Sequence, residues 1–447
     1  MKKLKKIVRL SLSLAIGLSL FSCNNQTNDF ISETPFAQEE LLESFTANGY
    51  VNYKVSRFFA FETMQEFSNT YSWENATLSK KPVVIYNSIT GEPRFYEFRV
   101  IKGNEEVGAI SCVANKKEGK PVRYVLPYAS EIKKSTSRSI ICGQNKIVDA
   151  SYPTKLITKD FSTSRALDTN TGTEYSQPVE TEVTVKELIL SADDDLLATL
   201  GLDDKEKYEE ALRLLEEQEK KDSEYWAFID SVEKNILEVT DEELLSIARN
   251  ANTWADDYQV VLKEWYDKID WTGNFGEYCG PNCMAFITLG FGKDSGYKDC
   301  PTSNNDDDLK ALYNKFGETI GTGPKVYSEL SNGLAALTNY KLEPDFLHFF
   351  DTIKNNIDST GYPSVSLRSS KLFQEWSKLQ WHYRVIIGYR YSYPIKYHQF
   401  LWWNWTTNET ERYYIMHDNG SDSGLNGEFL EIENTYYLLW SAHVIKK

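Results

Sequence analysis

Cysteine and histidine are scarce in this chain: six Cys and five His occur in 447 residues. So few cysteines cannot build the dense disulfide framework of a small secreted domain. A zinc centre made from Cys279, Cys283, Cys300 and a histidine would lack the second closely spaced ligand pair that structural zinc sites use. Neither a metal nor an organic cofactor is therefore expected. Basic residues are also in deficit, with 49 Lys and Arg against 65 Asp and Glu and a formal net charge of −16. A field of that sign repels phosphate backbones and argues against nucleic acid as a partner. The acidic runs "SADDDLL", "NNDDDLKAL" and "DNGSDSGLNGE" do not keep EF-hand spacing. The first two read as helix N-caps and the third as a turn-rich loop. After residue 22 no apolar run reaches membrane-spanning length, and no internal repeat is present.

What the chain does have begins with "MKKLKKIVRLSLSLAIGLSLFSC". Lys2, Lys3, Lys5, Lys6 and Arg9 precede a short apolar stretch that ends at Ser22 before Cys23. This is the pattern of an export signal, residues 1–22. "LFSC" resembles a bacterial lipoprotein signal, which implies cleavage before Cys23 and lipidation of its thiol. The body would then be exported and tethered to the cell envelope, at the outer membrane, cell surface or periplasm. Five cysteines remain: Cys112, Cys142, Cys279, Cys283 and Cys300. An odd set leaves at least one thiol unpaired and available for chemistry.

Composition divides the rest. Residues 23–45 are polar and read as a tether. Residues 46–130 read as an α+β meander module: "RFFAFETMQEFSNTY" predicts a helix, and "VVIY", "RFYEFRV", "VGAISCVA" and "VRYVLPYA" predict strands between turn signals. Residues 131–185, rich in Ser and Thr, read as a flexible linker. Residues 186–268 carry apolar residues at helical spacing, with Asp203 and Asp241 as candidate N-caps. Residues 269–447 place a helical stretch before the strand candidates "PSVSL", "HYRVIIGYRY", "HQFLWWNW", "RYYIMHD" and "EFLEI". Helices followed by strands predict an α+β domain.

One stretch points to chemistry, "EYCGPNCMAFITLGFG", residues 277–292. Pro281 suits the first helical position, because its missing N–H would have no partner there. The segment after it, residues 282–291, is apolar around nearly its whole circumference, so the helix should be buried. A thiol at such a helix start meets free N–H groups and partial positive charge, which favour the nucleophilic thiolate. Gly280 is expected to let a substrate backbone come close. A cysteine nucleophile needs a base held by a third polar group. Among the five histidines, His382 opens the strand "HYRVIIGYRY", His348 reads as a helix-face residue, and His398, His417 and His443 have less favourable surroundings. Asp418 or Asn419, at the end of "YYIMHDN", could orient an imidazole.

"CGPNCMAFITLGFG", "GYPSVSL", "WHYRVIIGYR" and "HDNG", in that order, resemble papain-like cysteine peptidases of the bacteriocin-leader-processing type. The resemblance covers about residues 269–447. It implies a papain-like domain, a buried N-terminal helix packed on an antiparallel sheet. It also implies Cys279 as nucleophile, His382 as base and Asp418, with Asn419 as the alternative, as orienting residue. "CMAF" resembles the streptopain pattern as well, and that register would make Cys283 the nucleophile. Relatives carry a Gln about six residues before the Cys; here position 273 is Gly, and Asn274 is the nearest amide for the oxyanion. The N-terminal module is similar to the propeptide or inhibitor-like domains of streptopain-type enzymes, which implies latency by packing on the cleft and processing within 131–185. The expectation is an exported cysteine peptidase, or an amide-bond acyl transferase, acting on peptide or protein substrates. The alternative is a catalytically inactive surface lipoprotein on the same scaffold that binds protein or glycan.

Overall fold

The structure is a computed structural model. It describes residues 42, 49–127, 146–149, 152, 157–163, 165–168, 174, 182–199, 202–240, 242–244, 256–261, 279–298, 306–320, 327–346, 350–369, 372–373, 381–392, 396–400, 403–407, 412–417, 428–432 and 438–447. The leader, Cys23 and the rest of the tether lie outside these residues, as do Cys142, Cys300 and His348; Leu42, inside the stretch read as a tether, is instead helical and buried in the core. Among the described residues no helix is long and apolar enough to cross a membrane.

The described chain is α+β. Its N-terminal module opens with α1 (Tyr53–Glu66), capped by Asn52, whose side chain accepts the Lys54 N–H at 2.9 Å. The helix lies on an antiparallel meander of β1 (Thr77–Leu78), β2 (Val83–Tyr86), β3 (Pro93–Lys102), β4 (Glu105–Val113) and β5 (Val122–Leu126). β2 to β5 fall where the apolar runs predict strands, whereas the two-residue β1 is not expected from them. The module also buries charge, and Arg94 and Arg99 meet carboxylates, which offsets their removal from water. Arg94 pairs with Asp149 and with Glu118 at 3.0 Å, Arg99 with Glu97 at 3.2 Å and Glu106 at 2.6 Å. The Tyr152 hydroxyl donates to Glu97 at 2.6 Å.

The segment read as a linker, 131–185, is partly sheet. β6 (Lys146–Val148), β7 (Ile157–Asp160) and β8 (Arg165–Asp168) extend the meander outward from β2. Composition misleads here because an existing sheet edge supplies the backbone hydrogen bonds. Among its described residues Ile147, Val148, Ile157 and Ala166 are buried. Asp149, beside them, accepts the Ser88 N–H at 2.9 Å.

The helical region forms α2 (Val185–Ser191), α3 (Asp194–Thr199) and α4 (Lys205–Leu237). Asp204, not Asp203, caps α4, accepting from the N–H groups of Glu206 and Lys207. Asp193 accepts the Leu196 N–H at 2.8 Å, the capping role expected of "SADDDLL". Asp241 lies outside the described residues. α4 buries Ala211, Leu215, Trp226, Ile229, Val232 and Ile236, one stripe of its surface. That stripe meets the N-terminal module: the Trp226 indole donates to the Gly119 carbonyl at 2.7 Å, and Lys116 pairs with Asp230. The end of this region departs from helix. "DDYQV" is β10 (Asp256–Val260), so the C-terminal half begins before residue 269.

That half holds α5 (Cys279–Phe291), α6 (Asp306–Ile320), α7 (Tyr327–Leu337), β11 (Tyr340–Phe346), α8 (Phe350–Thr360), β12 (Ser364–Ser369) and β13 (Leu372–Phe373). It continues with β14 (Trp381–Ser392), β15 (Lys396–Phe400), β16 (Trp403–Thr407), β17 (Arg412–His417), β18 (Glu428–Ile432) and β19 (Leu438–Lys446). β11 sits inside the stretch read as helical. Pro344 is tolerated because β11 is the terminal strand of the sheet and pairs only with β19 along the strand order. "HQFLWWNW" is a hairpin, β15 against β16, and not one strand.

β14 organises the half. Along one edge it pairs with β17; along the other it pairs first with β12 and then with β10. A register shift between Ile386 and Gly388 marks a bulge. α8 covers one face, where Phe350 meets Tyr389 and Tyr414 at 5.8 and 5.7 Å. α5 covers the other, where the Phe286 ring stacks on His417 at 4.0 Å. The halves join as one sheet, because β18 pairs with β17 on one side and with β5 on the other.

Candidate active site

α5 is buried from Gly280 through Gly290, as an all-round apolar sequence requires. It begins at Cys279, so Pro281 is its third residue, not its first. Proline is still accommodated, since first-turn N–H groups have no intrahelical acceptor. Cys279 is half-buried, and its sulfur accepts the main-chain N–H of Tyr383 at 3.4 Å. Tyr383 follows His382 on β14. Folding thus brings the start of the helix to the start of this strand across 104 residues of chain.

Cys283, one turn further on, is fully buried. The Tyr383 ring is buried with the two thiols nearby. Its hydroxyl is pushed well above the ordinary tyrosine range by burial first, then by Cys279, Cys283 and Glu329. Of the two cysteines, Cys283 is fully buried and Cys279 is partly exposed. None of Cys112, Cys279 and Cys283 is in a disulfide.

Gly280 departs from expectation. It is buried, and a Cβ built there would lie 2.8 Å from Leu330 Cδ2 of α7 and 3.6 Å from the Tyr383 ring. Its missing side chain admits α7 and Tyr383, not a substrate backbone. Tyr383 and Leu330 are the neighbours that sequence reasoning missed. An aromatic residue directly after a strand-opening histidine was the only trace of the first, and nothing marked the second.

The backbone of His382 belongs to β14, opposite Arg368 of β12. Its side chain lies outside the described residues, as do Asn274, Asp418 and Asn419; β17 ends at His417. His417 itself is fully buried beneath Phe286, a core position. His443 pairs across strands with Ser364, Nδ1 to Oγ at 2.8 Å, which joins β19 to β12. His398 lies on β15 by its backbone. Among the described residues no group of three or more His, Cys, Asp or Glu is placed to hold a metal ion.

Chemically, among the described residues the arrangement presents a partly exposed cysteine at a helix start, on a helix–strand contact, one residue along β14 from the backbone of a histidine. A scan against protein-family models finds no match to this chain, and a search of curated proteins finds none either.

Proposed function

We propose that this chain is an exported, lipid-anchored cysteine peptidase of the papain-like kind, acting on peptide or protein substrates. One observation carries the reading. The half-buried Cys279 thiol, on the first residue of a buried helix, lies 3.4 Å from the main-chain N–H of the residue after His382.

In the proposed reaction the Cys279 sulfur attacks the scissile carbonyl carbon, and an S–C bond forms. His382 takes the thiol proton and delivers it to the leaving amine as the C–N bond breaks. Water then attacks the thioester carbon, giving a proton to His382. The carboxylic acid departs, and the proton returns to sulfur. Asp418, or Asn419 beside it, orients the imidazole. The Cys279 main-chain N–H and the Asn274 amide hold the oxyanion, where loss of one donor typically costs about 10²–10³ in rate. Written this way, the reaction uses no metal or organic cofactor. Lipidated Cys23 tethers the body to the cell envelope, so the substrate is met outside the cytoplasm.

The test is covalent labelling. The purified mature protein is treated with an electrophilic thiol probe, beside Cys279→Ala and His382→Ala. Fast labelling is expected in the wild type, lost in Cys279→Ala and slowed in His382→Ala. Labelling no faster than that of a free cysteine, or unchanged in Cys279→Ala, leaves a catalytically silent binding scaffold instead. Sensitivity to Cys283→Ala in its place moves the nucleophile one turn along the helix.

A further inference from the structure

The N-terminal module resembles a propeptide in sequence, and a propeptide is shed or displaced when an enzyme matures. Its contacts with the C-terminal half are of another kind. β5 is an interior strand, hydrogen-bonded to β4 on one side and to β18 on the other, with Val125 opposite Leu430 and Tyr124 opposite Glu431. Pulling the module away would strip β18 of one neighbour and leave two raw sheet edges, a state that folded proteins avoid.

A second contact reinforces the first. Phe67, directly after α1, is fully buried. Its ring meets Tyr413 of β17 edge-on at 5.4 Å, and the Arg390 guanidinium of β14 lies 4.1 Å above it. An aromatic ring and a stacked cation, both removed from water, form a strong joint. The chain then crosses between the halves again. α4 rests on the module through Trp226, yet β9 (Glu182–Val183), just before α2, pairs with β13 of the C-terminal half.

Position matters as much as number. Arg390 and Tyr383 are seven residues apart on β14, about 23 Å of extended strand. The Phe67 joint therefore grips the far end of the strand that meets Cys279, and β5 supports β18, which backs β17. This is where a framework would be braced, not where a cleft would be plugged.

We propose that the N-terminal module, with α2–α4, is a permanent lobe of the folded protein, held by strand pairing to β18 and by Phe67, and is not released when the connecting chain is cut. The proposal does not rest on the peptidase reading, and its test needs no activity.

A site for a specific protease is inserted between residues 245 and 255 of the mature chain, the protein is cut to completion, and the products are run on size exclusion. The two fragments are expected to elute together at the volume of the uncut protein and to unfold in one transition. Elution as two separate species overturns the proposal. The same cut is then made in Phe67→Ala combined with Tyr124→Pro, which removes the aromatic joint and disrupts β5. Separation is expected there, after circular dichroism has shown the uncut variant to be folded. Continued co-elution of that variant would assign the cohesion to other contacts and overturn the roles of Phe67 and β5. Should the uncut variant fail to fold, Phe67→Ala alone serves, with an increase in the dissociation constant of the cut fragments of at least tenfold expected and no change counting against the proposal.

Discussion

Two helix-on-sheet units in this chain each carry a cysteine at the contact, and the sulfurs are placed in opposite ways. In the N-terminal unit Cys112 is fully buried beneath α1, and its thiol donates to the Ser56 carbonyl at 3.3 Å. Burial pushes that thiol far above the ordinary range, and so keeps it protonated. In the C-terminal unit Cys279 sits at the mouth of the helix and is half-buried, and its sulfur accepts an N–H from β14. A donor thiol sealed against a carbonyl is a packing residue. An acceptor sulfur at a helix start, with water in reach, is where a nucleophile can work. The same residue type at a helix–sheet contact thus differs in burial and in whether a strand or a helix carries it.

The units also differ in what they bury beside the sulfur. The first encloses ion pairs; along α5 the second buries only uncharged side chains. The broadest test of the contrast is reactivity. An electrophile added to the folded protein should modify Cys279 and leave Cys112 untouched until the chain unfolds. Since unfolding costs about 5–15 kcal/mol in ordinary domains, the two rates should differ by on the order of 10³-fold or more. Peptide mapping after a timed pulse reads the ratio, and comparable modification of both cysteines would end the comparison.

Next in size is the packing at Gly280. Its replacement by Ala drives a methyl into Leu330, and overpacking of this kind costs about 1–3 kcal/mol. Gly280→Ala should lower the denaturation midpoint, and Leu330→Ala should lose part of its own penalty in that background. A double-mutant cycle with no coupling between the two positions would contradict the contact.

The smallest expected effect lies in the first unit and at high pH. Burial raises the Tyr86 hydroxyl to about 12. A group whose folded pKa lies above its unfolded value of about 10 contributes its full stability below pH 10 and loses it as pH rises toward 12. The loss from this residue should reach about 1 kcal/mol by pH 11. Thermal melts of wild type and Tyr86→Phe at pH 8 and pH 11 read it directly: the difference between the two pH values should be smaller in the variant, and an equal drop in both would exclude Tyr86 as the source.

How far these features could be read in advance depended on whether they were local. The meander strands, the buried character of α5 and its start at the Cys-Gly-Pro were legible, because alternation and all-round apolarity are properties of consecutive residues. β6, β7 and β8 were not, since their stability comes from an edge built elsewhere in the chain. β10 and β11 were hidden in stretches with helical composition, and each exists through its partner, β14 and β19. At the site, the cysteine was legible from its motif. Gly280 was misread because its neighbour Leu330 is 50 residues away, and no spacing rule connects them.

The chain's order of residues was enough to determine that a thiol would open a buried helix and that a histidine would open a distant strand. It also set which segments had the period of helix and which that of strand, because those are short-range preferences of backbone and side chain. Only the tertiary structure decided that Cys279, and not Cys283, keeps contact with solvent, and that its sulfur meets β14 at Tyr383. The union of the two halves into one sheet through β5 and β18 was decided there as well. Those outcomes depend on burial and on hydrogen bonds between segments more than 100 residues apart, which exist only once the chain has closed on itself.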